Sequence, residues 1–157
     1  LFRFNKGWEV FSSWLLKEEE GMKKLKFLSI AIGFIYVWFG ILKFFPSLSP
    51  AESLAANTIE FLSFGLITPN VGTIVLAVAE VLIGFGLIFT LKMSWVVRIA
   101  IAHMIFTFTP LFIFPEIAFN KAPYSFTITG QYIMKNVVII AALVLLIPAK
   151  KKVINPI

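Results

Sequence analysis

The sequence predicts an all-α, polytopic membrane protein: a four-helix bundle with a short extracytoplasmic interfacial helix and an N-terminal amphipathic helix. Three observations carry this reading. Of the 157 residues, 59% are hydrophobic and 14% are charged, against about 25% charged in a soluble domain; so few charges do not cover a water-facing surface. Four apolar segments, at residues 26–45, 71–91, 95–114 and 131–147, approach the ~20 helical residues that cross a hydrocarbon core. Finally, the basic residues gather where alternating spans bring them to one side. Arg3, Lys6, Lys17, Lys23, Lys24 and Lys26 precede the first span, Lys92 and Arg98 flank the turn between the second and third, and Lys150, Lys151 and Lys152 follow the fourth. The opposite loops hold only Lys121, so the positive-inside rule puts both termini in the cytoplasm, as in a bacterial inner-membrane protein. An odd number of spans would scatter these charges.

Each element has its own local cause. Residues 1–21 form an extension in which Trp8, Phe11, Trp14 and Leu15 share one helical face ahead of Lys17 and the acidic run Glu18–Glu20, a pattern that fits a helix lying on the inner membrane surface. Residues 21–26, Gly-Met-Lys-Lys-Leu-Lys, also read as a natural chain start. The apolar run after Lys26 is too long, and lacks the small-residue site, for a cleaved signal peptide. Lipid offers the backbone no partners, so the spans are helical. In the first outer loop, Ser49, Pro50 and Glu52 read as N-cap, first helical residue and capping box of a short helix over residues 54–66. Thr68-Pro69 opens the second span, and Trp95 follows that span closely enough to make the second and third antiparallel neighbours. Pro110 kinks the third span near its outer end by removing a backbone donor, and Phe114-Pro115-Glu116 closes it, with Glu116 in reach of Lys43 or Lys121. The core domain is residues 22–150, and 151–157 are a basic cytoplasmic tail.

Composition excludes several chemistries. Without cysteine there is no disulfide, thiolate nucleophile or cysteine-ligated metal. With one histidine, a multi-histidine metal or haem site is not expected, and there is no Walker, Rossmann or hydrolase signature. The net charge of +6 belongs to membrane orientation and anionic headgroups rather than to nucleic acid.

Ionisable residues within apolar spans are costly and turn inward. Each span has one polar or small-residue seam: Ser29, Gly33, Tyr36, Gly40 and Lys43; Thr73, Ala77, Glu80 and Gly84; Ala100, His103, Thr107 and Pro110; Gln131, Lys135, Val138 and Ala142. At ~1.5 Å per residue, Glu80 lies ~14 Å below the outer boundary, His103 ~12 Å from the inner one, and Lys43 and Lys135 within ~6 Å of the outer end. Turned inward, the seams make a funnel with cations at its mouth and a carboxylate and imidazole deeper in. The two lysines either line it or snorkel to headgroups. Glu80 is either a structural clamp to Lys43, Lys135 or Tyr36, or a ligand or proton site, and His103 either an interhelical hydrogen bonder or a ligand group. Gly33, Gly40, Gly84 and Gly86 permit close helix approach.

Residues 36–46, YVWFGILKFFP, resemble the Trp-x-Gly-x-x-Lys-Phe stretch of DoxX-like membrane proteins. Glu80 with Gly84, His103 with Thr107, and Gly130-Gln131-Tyr132-Ile133-Met134-Lys135-Asn136 agree in order and spacing. The resemblance covers residues 22–150 and implies a four-helix membrane bundle. Some members of that family are small subunits associated with thiosulfate:quinone oxidoreductase, others are linked to oxidative-stress responses, and no single activity is implied. The expected function is therefore a non-catalytic accessory subunit that binds a partner protein or small lipophilic ligand in a site of Lys43, Glu80, His103, Thr107, Gln131, Lys135 and Asn136. A quinone-linked redox subunit and a small proton-coupled carrier are the alternatives. A quinone is the one cofactor considered, no metal is expected, and the expected partners are the bilayer and a membrane complex or second copy.

Overall fold

The computed structural model describes residues 5–45, 48, 52–89 and 93–147. Its elements are α1 (Asn5–Leu42), α2 (Glu52–Leu62), α3 (Pro69–Ile88), α4 (Met93–Phe106), α5 (Pro110–Ile113), α6 (Pro115–Ala118), β1 (Phe119–Lys121), β2 (Ser125–Phe126), α7 (Ile128–Met134) and α8 (Asn136–Leu145). Among the described residues, four helical runs are long and apolar enough to cross a membrane: Glu9–Leu42, Pro69–Ile88, Ser94–Ile113 and Ile128–Leu145. Their outward faces carry large apolar side chains, among them Phe27, Phe34, Trp38, Leu82, Ile105 and Leu145. So much exposed apolar surface is costly in water and natural in lipid. The predicted start of α2 at Ser49 and Pro50, Lys92, Arg3 and the basic tail 151–157 lie outside the described residues.

The four runs close a ring: α1 packs along α3, α3 against α4, α4 against α8, and α8 against α1. The α1–α3 contact is the tightest, and glycines cause it. A Cβ on Gly84 would stand 2.7 Å from the Gly33 carbonyl oxygen and 2.8 Å from the Val37 nitrogen, and one on Gly40 3.1 Å from the Ala77 carbonyl oxygen. Backbone atoms cannot swing aside, so only glycine fits here. Ser29 ties the same pair together by donating to the Leu87 carbonyl at 2.7 Å. One half of the interior is a packed apolar core of Ile32, Ile83, Leu87, Val97, Ala100, Met104, Leu143 and Leu146, with Tyr36 at its edge.

The N-terminal stretch differs from the separate surface helix expected. It runs into the first span as one unbroken helix, because nothing between Asn5 and Leu42 stops it: Gly21 is helical, and the ion pairs Glu19–Lys23 (2.7 Å) and Glu20–Lys24 (2.8 Å) bridge that region at i,i+4 spacing.

The third run is interrupted as Pro110 requires. α4 ends at Phe106, and the Phe106 carbonyl, which residue 110 has no N–H to reach, instead accepts from the Thr109 amide (3.1 Å) and the Thr109 hydroxyl (2.6 Å). A small hairpin follows in the second outer loop, with β1 antiparallel to β2 and Phe119 opposite Phe126. Thr127 joins it to the fourth run, donating to the Ile117 carbonyl (2.7 Å) and accepting from the Gly130 amide (3.0 Å) as N-cap of α7. A Cβ at Gly130 would collide with the Ala118 carbonyl oxygen, so α6 and α7 also meet backbone to backbone.

The fourth run turns a different face inward from the one expected. Ile133, Asn136, Leu143 and Leu146 are buried, while Gln131, Lys135 and Val138 are exposed. Reading the inward face from small and polar residues fails on this helix, because its polar residues cluster near the loop end and its buried face is almost wholly aliphatic.

Candidate functional site

The half of the ring opposite the packed core is not filled. A cavity of about 290 Å³ lies there, bounded by α1, α3, α4, α7 and α8 and roofed by α2. The roof is held down at Gly72, where only the absence of a side chain lets Ile59 of α2 rest on α3. Leu54, Ala55, Thr58, Ile59 and Leu62 present α2 to the cavity, and Ile35, Phe39, Leu76, Met104, Phe106 and Ile139 extend its apolar walls.

Its polar wall is built around Glu80. The Lys43 ammonium donates to Glu80 Oε2 at 2.6 Å, with both side chains only 9% exposed. It also donates to the Phe39 carbonyl at 3.4 Å. Lys43 sits in the turn just after α1, so the helix end aims its side chain back into the cavity instead of letting it snorkel outward. Glu80 Oε1 faces His103 Nε2 at 3.5 Å. On the far side of that ring, His103 Nδ1 lies 3.1 Å from the Tyr36 hydroxyl, which itself lies 3.0 Å from the Ala100 carbonyl.

Three contacts lie in series here: Ala100 carbonyl to Tyr36 hydroxyl, Tyr36 hydroxyl to Nδ1, and Nε2 to Glu80 Oε1. The Tyr36 hydroxyl and a neutral imidazole supply two protons between them, so in either tautomer one of the three contacts is short of a proton. The chain from Lys43 through Glu80, His103 and Tyr36 to Ala100 therefore links α1, α3 and α4 and has room for one exchangeable proton at its centre.

Thr107 and Asn136 form a second crossing. The Asn136 amide donates to Thr107 Oγ1 at 2.9 Å, and the Thr107 hydroxyl donates to the Met104 carbonyl at 2.6 Å, joining α4 to α8 on the cavity wall. Lys135 lies at the tightened turn between α7 and α8, its ammonium 3.7 Å from the Tyr132 ring centroid and 5.0 Å from that of Phe39. These two rings meet edge to face at 5.9 Å. Among the described residues, no carboxylate pairs with Lys135. Among the described residues, no fully buried side-chain nitrogen or oxygen is left without a partner.

Of the residues singled out from sequence, Lys43, Glu80, His103, Thr107, Lys135 and Asn136 line this one cavity. Gln131 does not. Its amide points to the hairpin, 3.5 Å from the Phe126 carbonyl, and the side chain is exposed. Glu116 is exposed and forms no ion pair with Lys43 or Lys121 among the described residues, since Lys43 is committed to Glu80. Tyr132 and Phe39 belong to the site as well, and they carry a readable signal, since Tyr132 and Lys135 stand three apart on one helix. The short outer helix expected from its capping residues is α2, and its inner face supplies the roof. No family model matches the chain, and neither a curated protein nor a solved structure is significantly similar to it.

Proposed function

We propose that this chain is a non-catalytic integral membrane subunit that holds a small lipophilic ligand in the cavity beneath α2, alone or on behalf of a partner protein. One observation carries the reading: a preformed, mostly apolar cavity has a single polar wall whose groups are already braced against one another. Concave, apolar sites with a few fixed polar groups are the usual form of small-molecule sites. A wall braced in this way binds without first having to reorganise.

The resemblance of the first-span motif, of Glu80 and Gly84, of His103 and Thr107 and of residues 130–136 to DoxX-like proteins supports an accessory role. In this reading the protein lies in a bacterial cytoplasmic membrane with both termini inside, the orientation that its lysine and arginine placement supports. The cavity mouth and α2 are then extracytoplasmic, with α2 at the interface, and the amphipathic start of α1 emerges on the cytoplasmic side.

Mass spectrometry of extracts from mildly purified protein tests the proposal. Wild-type protein is expected to carry a lipophilic molecule in near-stoichiometric amount. Ala55→Trp, which pushes an indole from the α2 roof into the cavity, is expected to lose it while keeping its helical circular dichroism. Equal retention by both proteins, or none by wild type, overturns the reading.

A second reading, a quinone-binding subunit of a redox assembly, is favoured by the His103–Glu80 pair, which can hold a proton against a ligand oxygen. It requires bound quinone in the same extracts, or bleaching of a quinol spectrum once a partner is added.

A further inference from the structure

We infer that the ligand of this cavity is an anionic amphiphile: one apolar chain ending in a carboxylate or phosphate head, which Lys135 receives at the mouth. The inference rests on the ligand-binding reading above and adds the charge and shape of what is bound.

The charge follows from how the cations are spent. Lys43 gives one N–H to Glu80 and one to the Phe39 carbonyl. Lys135 has no oxygen acceptor among the described residues and stands only against the π faces of Tyr132 and Phe39. Aromatic faces stabilise an ammonium, yet they offer no countercharge, and the three N–H donors of this exposed group have no protein acceptor among the described residues. A lysine stem serving only to reach headgroup water would carry the ammonium away from the protein; here it is folded onto rings that line the cavity. Lys43 and Lys135 together outweigh Glu80 by one positive charge when His103 is neutral, and by two when it carries a second proton. In either state the polar wall lacks an anion.

The shape follows from the rest of the lining. Beyond the polar wall the cavity is aliphatic and aromatic, and an apolar ligand portion replaces no hydrogen bond there. At about 290 Å³ it falls near the lower end of the ~300–1,000 Å³ usual for ligand pockets, which suits one chain rather than two. Both ammonium groups lie against Phe39, one at its carbonyl and one at its ring, so a head held by Lys135 leaves its chain to the apolar lining, to which Leu76 and Ile139 belong.

The test compares heads on one chain. Decanoate, decyl phosphate, decanol and decylamine are titrated against the full chain in nanodiscs of neutral phosphatidylcholine, with Ala55→Trp as the control for mere partitioning. Wild-type protein is expected to prefer an anionic head over the alcohol by about tenfold, and the better of the two anions identifies the head. Lys135→Gln is expected to bring that preference below about threefold, and Lys135→Arg to keep it. Equal binding of alcohol and anions by wild type, or preference for the amine, overturns the anionic inference while leaving ligand binding intact. Binding of no probe, or binding that Ala55→Trp does not diminish, overturns both. If Lys135→Gln does not fold, the head series on wild type and Lys135→Arg still decides.

Discussion

Glu80 meets two cationic or imidazole partners from two other helices while lying deep in apolar surroundings, so its neighbours determine what it costs. Removing one partner of a buried ion pair leaves a charge with nothing to offset its lost hydration, typically ~3–5 kcal/mol, whereas replacing both by apolar groups is often close to neutral. Lys43→Met alone is therefore expected to destabilise the protein by about 3 kcal/mol in reversible detergent unfolding, and Lys43→Met with Glu80→Leu to recover more than half of that. Additive losses would show that the pair is not coupled. Tyr36 offers a sharper probe of the same chain. Tyr36→Phe removes the oxygen that faces Nδ1 and the second bond to the Ala100 carbonyl, which keeps its helical partner in α4, at a cost of about 0.5–1.5 kcal/mol. It also leaves Nδ1 without its partner, so the ¹⁵N shifts of His103 are expected to change. Unchanged shifts would show that Tyr36 does not hold the ring. At this scale most of the site was legible, because ionisable residues in apolar runs stand out one by one. Gln131 misled because amides at a helix start also find loop carbonyls, and here the Phe126 carbonyl lies close by.

At the scale of the elements, close approach of backbones decides the arrangement, and this too is open to measurement. A methyl group on Gly84 has a carbonyl and a backbone nitrogen to displace, while one on Gly21 meets nothing within 4 Å. Gly84→Ala is thus expected to lose about 1–3 kcal/mol by forcing α1 and α3 apart. Gly21→Ala is expected to gain about 0.5–1 kcal/mol from better helix propensity. Similar effects at the two positions would contradict the backbone contact. The glycine pattern and the break at Pro110 were readable because each has a local steric cause. The hairpin, the inward face of the fourth run and the continuity of α1 were not, since each depends on what another element offers. Thr127 caps α7 only because α6 ends beside it. The aliphatic face of α8 is chosen by the core it meets, not by its own few polar residues. Nothing local marks a break between the amphipathic stretch and the first span, and the ion pairs around Gly21 carry the helix through.

The molecule as a whole has two ends of different character, and their separation can be measured because the chain contains no cysteine. α2, α5, α6 and the hairpin all cap the cavity end, where Phe61 of α2 meets Phe114 beside α6 with ring centroids 6.2 Å apart. Starting from that end, α1 runs 38 residues, or about 57 Å, against a hydrocarbon core of about 30 Å. Its first half therefore leaves the membrane on the opposite side, carrying exposed Glu18, Glu19 and Glu20 with it. Single cysteines at Asn57 on α2, Tyr124 in the hairpin and Glu18 on α1, all exposed positions, divide these regions without disturbing a buried contact. In intact cells of a bacterial host, a membrane-impermeant maleimide is expected to label Asn57→Cys and Tyr124→Cys directly, and Glu18→Cys only after the membrane is opened. The reverse pattern would keep four spans but turn the protein over, placing the cavity mouth in the cytoplasm against the weight of its lysines and arginines. Labelling of all three from one side would break the four-span arrangement itself. A polar wall with Lys135 at its mouth would then no longer lie at the head-group level of a membrane leaflet, where an amphiphile can enter head-last from the lipid.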